Sequence, residues 1–86
     1  MSAPSFTPGP WNVNGMQSVR GPNGEYIARG NWNNGPANAR LIAAAPELYA
    51  ALEMIVEASL IDSAPLELRG IGLAAMMALA KARGES

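Results

Sequence analysis

Residues 11–29 read WNVNGMQSVRGPNGEYIAR, and this stretch decides the fold of the first half of the chain. The dipeptides Asn14-Gly15 and Asn23-Gly24 are typical of type I′ hairpin turns, because both central residues of that turn need positive φ. They divide the stretch into three short segments. The last segment alternates with the period of two that a strand requires. The sequence therefore predicts a small antiparallel meander of three strands.

After residue 38 the chain changes character, because all seven asparagines lie at or before that position and alanine dominates after it. Apolar residues from Leu41 to Leu60 recur at steps of three and four, which is the period of an amphipathic helix. Pro46 lies inside this pattern. A proline in a helix interior costs about 3 kcal/mol, so the pattern predicts two helices with a break at Pro46.

The predicted fold class is α+β in a single domain. Ser63 is the expected N-cap of a last helix, and Gly84 is its expected end. The predicted parts are an extended lead-in over 1–10, a β-meander over about 10–29 within a β-and-loop region over 11–35, and helices over about 36–45, 46–60 and 64–83.

The last predicted helix contains GIGLAAMMALA at residues 70–80, without a polar side chain for three turns. A helix that is apolar all round is normally buried all round, and one small sheet and one other helix cannot cover it. A membrane span would need about 20 apolar residues. Small domains without disulfides or metals commonly gain stability by oligomerisation. We therefore expect a homo-oligomer held by this helix, with the following contact residues: Gly70, Leu73, Ala74, Met77 and Ala78. The alternative is that Gly70 and Gly72 merely break a weak helix.

The composition excludes several classes of function. The 86 residues include no cysteine and no histidine, which excludes disulfides, Cys/His zinc sites, a Ser-His-Asp triad and a cysteine nucleophile. The net charge of −1 provides no basic field for a nucleic-acid backbone. No secretory signal is apparent. We expect a cytosolic binding protein, not an enzyme, with no metal, cofactor, nucleic acid or membrane among its partners.

The candidate ligand site is the loop that leads into the first helix, where polar and aromatic residues collect. The indole of Trp32 offers a stacking face worth ~1–3 kcal/mol per base. Arginine side chains can hold phosphate oxygens by bidentate bonds, and the start of a helix offers free N–H groups. The candidate site residues are Arg29, Asn31, Trp32, Asn34, Asn38 and Arg40. The expected ligand is a small anionic nucleotide.

A structural interpretation of the same loop stays open, in which Trp32 caps the sheet, the asparagines form turns and the arginines are solvated. The remaining large aromatic residues, Trp11, Tyr26 and Tyr49, are expected in the core.

Two blocks of sequence resemble a group of small phage and prophage proteins. These blocks are TPGPW at Thr7–Trp11 and NARLIAAAPEL at Asn38–Leu48. Members of the group share this start, a variable β-rich middle and this helix start. The resemblance implies a protein encoded by a phage and acting in the cytoplasm of the bacterial host.

In outline the chain is also similar to viral sponges, proteins that sequester the nucleotide signals of bacterial immunity, such as cyclic ADP-ribose isomers or cyclic dinucleotides. This is a likeness of architecture and context, without a matched binding motif. It implies a counter-defence protein that binds a nucleotide signal. The alternative is a protein–protein inhibitor of a host defence complex, similar to an anti-CRISPR. The net charge of −1 does not favour inhibition by nucleic-acid mimicry.

Overall fold

A computed structural model describes residues 6–30 and 33–84. The chain divides into two compact units, Met1–Glu47 and Leu48–Ser86. The single domain stays a prediction. Of the predicted lead-in, residues 1–5 lie outside the described part.

The first unit contains the predicted three-stranded antiparallel sheet. Its strands are β1 (Asn12–Asn14), β2 (Ser18–Arg20) and β3 (Tyr26–Arg29). They lie in the order β1-β2-β3, so each strand pairs with the next along the chain. The meander is confirmed.

The two hairpin turns lie at the Asn-Gly pairs but are not type I′ turns. Only the glycines take positive φ, +72° at Gly15 and +82° at Gly24. Asn14 pairs with Ser18, which leaves three residues in the first loop. In the second loop the N–H of Gly24 donates to the carbonyl of Gly21 at 3.1 Å. Longer hairpin loops of this kind need positive φ at one residue instead of two.

Helix α1 (Gly35–Ala43) packs against all three strands on one face of the sheet. Gln17 identifies this face, because its side chain lies 2.6 Å from where a Cβ on Gly35 would be. Val19, the middle residue of β2, is fully buried and so lies on this covered face. Val19 and Ala39 are both 0% exposed and form the centre of this small core.

The second unit contains most of α2 (Ala45–Ser59) and all of α3 (Leu66–Ala82). The break between α1 and α2 confirms the prediction at Pro46. The guanidinium of Arg83 donates to the Tyr49 hydroxyl at 3.2 Å. Near the other end of α2, a Cβ on Gly72 would overlap the side chain of Ser59. The two helices therefore run antiparallel and approach closely at Gly72.

The predicted N-cap at Ser63 is wrong. Helix α3 begins at Leu66 with Pro65 as its N-cap, and no side chain caps it. The physical reason is Pro65 itself, because a residue that precedes proline, here Ala64, is disfavoured in helical conformation. The predicted end is confirmed, since Gly84 follows the helix with a φ of +80°.

The three aromatic residues expected in the core differ in their surroundings. Tyr49 is buried, which confirms the prediction. Trp11 is half-buried, and its indole N–H donates to the Thr7 carbonyl at 3.0 Å. Tyr26 is 60% exposed, so its assignment to the core is wrong. Its position in β3 turns the ring away from α1.

Candidate functional site

The sheet has a second face, which α1 does not cover. Residues directly opposite each other on antiparallel strands point to the same side, so the register places the alternate residues together. The cross-strand pairs are Asn12 with Arg20, Asn14 with Ser18, Ser18 with Arg29, and Arg20 with Tyr26. We call these six residues the open face: Asn12, Asn14, Ser18, Arg20, Tyr26 and Arg29. All six carry polar side chains, in contrast to Val19 on the covered face.

The open face is positively charged, because it holds Arg20 and Arg29 and no carboxylate. Glu25 lies next to it in sequence, but its Oε1 accepts a bond from the Asn23 N–H at 2.7 Å. That bond engages the carboxylate in the turn. The result is a local cationic surface on a chain whose net charge is −1.

An aromatic ring lies within this cationic surface. The guanidinium carbon of Arg20 is 5.1 Å from the centroid of the Tyr26 ring, within the range of a cation–π contact. This contact holds the guanidinium over one face of the ring, while Tyr26 stays 60% exposed. The pair therefore presents a positive charge and an exposed aromatic ring at the same place on the open face.

Arg29 lies at the end of β3 and is exposed. Its guanidinium makes no ion pair or hydrogen bond with the described residues. Arg29 lies diagonally across from Arg20 on the open face, a spacing of about 7–8 Å in antiparallel sheets. Two long side chains that start from that backbone spacing can reach separate oxygens of one anionic ligand.

The loop site predicted from the sequence is only partly described. Asn31 and Trp32 lie outside the described residues. Two of its residues come together at the start of α1, where the Asn38 N–H donates to the Asn34 carbonyl at 2.9 Å. Arg29 does not join them, since it points to the side of the sheet opposite α1. Arg40 does not join Asn38 either, because two residues span about 200° of a helix.

The start of α1 lies close to the end of β3. The Gly30 N–H donates to the Gln17 carbonyl at 2.7 Å, and a Cβ on Gly30 would overlap the Gly35 carbonyl. Asn34 is the N-cap with a φ of 58°, and its side chain makes no capping bond. Gly35 is buried and Pro36 has no N–H, so the start of α1 offers an anion fewer N–H groups than an ordinary helix start.

Sequence reasoning missed Arg20 and Tyr26 as candidate site residues. The segments on either side of Asn23-Gly24 fix which residues face each other only when the loop length is known, and the Asn-Gly pair predicts a two-residue loop. The loop has five residues instead of two, and β2 and β3 shift register between Val19 and Arg20. An aromatic residue in a short strand was therefore assigned to the core.

No cluster of three or more potential metal-ligating residues occurs within residues 6–30 and 33–84. Among the helices in this part of the chain, none has the length and apolar character needed to cross a membrane.

The fold and the open face define a small α+β protein with a local cationic and aromatic surface. The family model of Salmonella phage P22 protein Y8K6 matches residues 1–86, and the chain therefore belongs to this family of small phage proteins. This confirms the phage context that the TPGPW and NARLIAAAPEL blocks imply. No curated protein and no solved structure matches the chain.

Proposed function

We propose that this phage protein counters host defence by binding and sequestering a nucleotide immune signal, without catalysis and as a homo-oligomer. The observation that carries the proposal is the open face, where Arg20 lies over an exposed tyrosine ring, Arg29 shares the face, and no carboxylate lies among them. Phosphate and a flat base are the two chemical features that such a surface recognises together. The proposed place of action is the cytoplasm of the bacterial host.

Each group on the open face has a role in this proposal. Tyr26 stacks on the base, and Arg20 and Arg29 bind phosphate oxygens. The amide and hydroxyl groups of Asn12, Asn14 and Ser18 offer donors and acceptors for the base edge and the ribose. Cyclic dinucleotides and cyclic ADP-ribose derivatives both carry two phosphates, which suits two arginines. Sequestration is favoured over hydrolysis because the open face has no carboxylate or imidazole to act as a general base.

The loop around Trp32 remains a second proposed location for the same ligand. Arg29 belongs to both locations, whereas Arg40 belongs to the loop alone and Arg20 to the open face alone. The two locations therefore make different predictions for the substitutions Arg40→Ala and Arg20→Ala.

A second function is favoured by the apolar residues that α2 and α3 expose. Leu66 is 77% exposed, Met54 69% and Met77 68%. Exposed apolar patches mark protein–protein contacts, and methionine is enriched at such interfaces. This surface suits a homo-oligomer, and it equally suits an inhibitor that docks on a host defence complex.

Thermal unfolding against a panel of cyclic dinucleotides and ADP-ribose derivatives tests the proposal. A ligand at a hundredfold excess over its Kd stabilises the fold by about 2.7 kcal/mol. For a domain of this size that raises Tm by ~10 °C or more. If no nucleotide of the panel moves Tm while the protein still blocks a defence system in cells, sequestration is wrong. The inhibitor alternative is then tested by pull-down of its host target.

A further inference from the structure

The face of α3 that points away from α2 is exposed along its whole length. The buried residues of α3 are Gly72, Ala75 and Leu79, which share one side of the helix. The opposite side, which we call the outer face, consists of six exposed residues: Glu67, Gly70, Ala74, Met77, Ala78 and Lys81. Four of these six are apolar, and no described residue covers them.

The outer face has a charge at each end and none between. Glu67 lies in the first turn of α3 and Lys81 in the last. Each is seven residues from Ala74, which corresponds to about 10.5 Å along the helix axis. Arg69 lies off this face, and its guanidinium donates to the carbonyl of Asp62 at 2.7 Å. Opposite charges therefore lie at equal distances on either side of Ala74.

We propose that the outer face binds the same face of a second copy of this chain, with the two α3 helices antiparallel and the two Ala74 residues opposite each other. This arrangement brings Glu67 of each chain to the level of the partner's Lys81, so two pairs of opposite charges close the ends of an apolar contact. A parallel arrangement would bring like charges together instead. The inference rests on the homo-oligomer of the proposed function and specifies its contact.

The two glycines of α3 support the same contact. At Gly72 the packing of α3 on α2 requires a glycine, because a Cβ there would overlap the Ser59 side chain. At Gly70 a Cβ would meet nothing within 4 Å, so packing within the chain does not require a glycine. Glycine is among the poorest helix formers. In the antiparallel pair Gly70 lies at the level of the partner's Ala78, where small residues on both sides allow a close approach.

Charge reversal tests the arrangement, with the dimer Kd measured by light scattering and sedimentation. Glu67→Lys alone and Lys81→Glu alone each place two like-charge pairs in the dimer. Each should raise the Kd about tenfold or more at low salt. The double variant Glu67→Lys/Lys81→Glu restores opposite pairs and should restore the wild-type Kd. Glu57→Lys, an exposed change of the same charge on α2, is the control and should leave the Kd unchanged.

The outcomes are distinct. A wild-type chain that is monomeric at tens of micromolar overturns the inference, and so do single reversals that dimerise as well as wild type. Gly70→Leu provides a second variant that keeps the fold, because space is open at that Cβ. It should abolish the dimer while circular dichroism is retained. The same variants are titrated with the nucleotide panel. A variant that loses the dimer but keeps its Tm shift leaves ligand binding by the open face intact.

Discussion

The open face of the sheet and the outer face of α3 are both exposed, but they differ in chemistry. The open face is polar, and water satisfies its arginine, asparagine and serine groups at no cost. The outer face is apolar between Glu67 and Lys81, and each Å² of such surface removed from water contributes about 25 cal/mol. A polar face can remain open until a ligand arrives, whereas an apolar face gains from a permanent partner. We therefore propose that the ligand binds the sheet and that the second subunit binds α3.

The largest effect is expected from charge placed in the centre of the outer face. Ala74→Glu together with Ala78→Glu buries unpaired carboxylates in the subunit contact, which costs about 3–5 kcal/mol. The product should be a monomer or insoluble protein. Light scattering distinguishes these from the wild-type oligomer.

The control for this variant is Ala51→Glu, which adds a carboxylate at an exposed position of α2. It should leave the oligomer unchanged. An Ala74→Glu/Ala78→Glu protein with the mass of the wild type would show that the outer face is not the contact.

A single methyl group added on the inner side of α3, the side that packs on α2, should lower the free energy of unfolding. Gly72→Ala adds a Cβ that overlaps the Ser59 side chain, and overpacking of this kind costs about 1–3 kcal/mol. Urea unfolding should show the loss, and Ser59→Gly should recover part of it. Gly70→Ala is the matched control and should be at least as stable as wild type, because its Cβ meets nothing within 4 Å and alanine is the better helix former by about 0.5–1 kcal/mol. Equal effects at the two glycines would contradict the distinction between the inner and outer sides.

On the open face, removal of either arginine should weaken nucleotide binding and leave the oligomer intact. Arg20→Ala and Arg29→Ala each remove charge-assisted bonds worth about 1.5–3 kcal/mol. The expected loss is about 10- to 150-fold in Kd by calorimetric titration. Arg40→Ala is the control, because Arg40 lies on α1. If Arg40→Ala abolishes binding and Arg20→Ala does not, the ligand lies in the Trp32 loop instead.

The smallest loss of nucleotide affinity is expected from removal of the Tyr26 ring. Tyr26→Ala removes a stacking surface worth ~1–3 kcal/mol, which corresponds to about 5- to 150-fold in Kd. Tyr26→Phe keeps the ring and should bind within a few-fold of wild type. Equal binding by the alanine and phenylalanine variants would exclude stacking on Tyr26.

The sequence predicts the elements of this fold better than the faces they present. The Asn-Gly pairs locate both hairpins, and Pro46 locates the helix break, because these residues act through local backbone conformation. The open face depends on register, which a five-residue loop and a shift between Val19 and Arg20 determine. For that reason the sequence pattern wrongly predicts Tyr26 in the core and groups Arg29 with Arg40. In α3 the helix was predictable from its apolar run, but the difference between Gly70 and Gly72 depends on Ser59, which lies in another helix.

Native mass spectrometry of the protein purified from bacteria that produce an immune nucleotide signal detects sequestration itself. We expect an oligomer that carries the additional mass of the signal, and a nucleotide that is released intact when the protein is denatured. The Arg20→Ala/Arg29→Ala variant, purified in the same way, should carry none. An oligomer without bound nucleotide, or one that releases a hydrolysed product, would contradict sequestration.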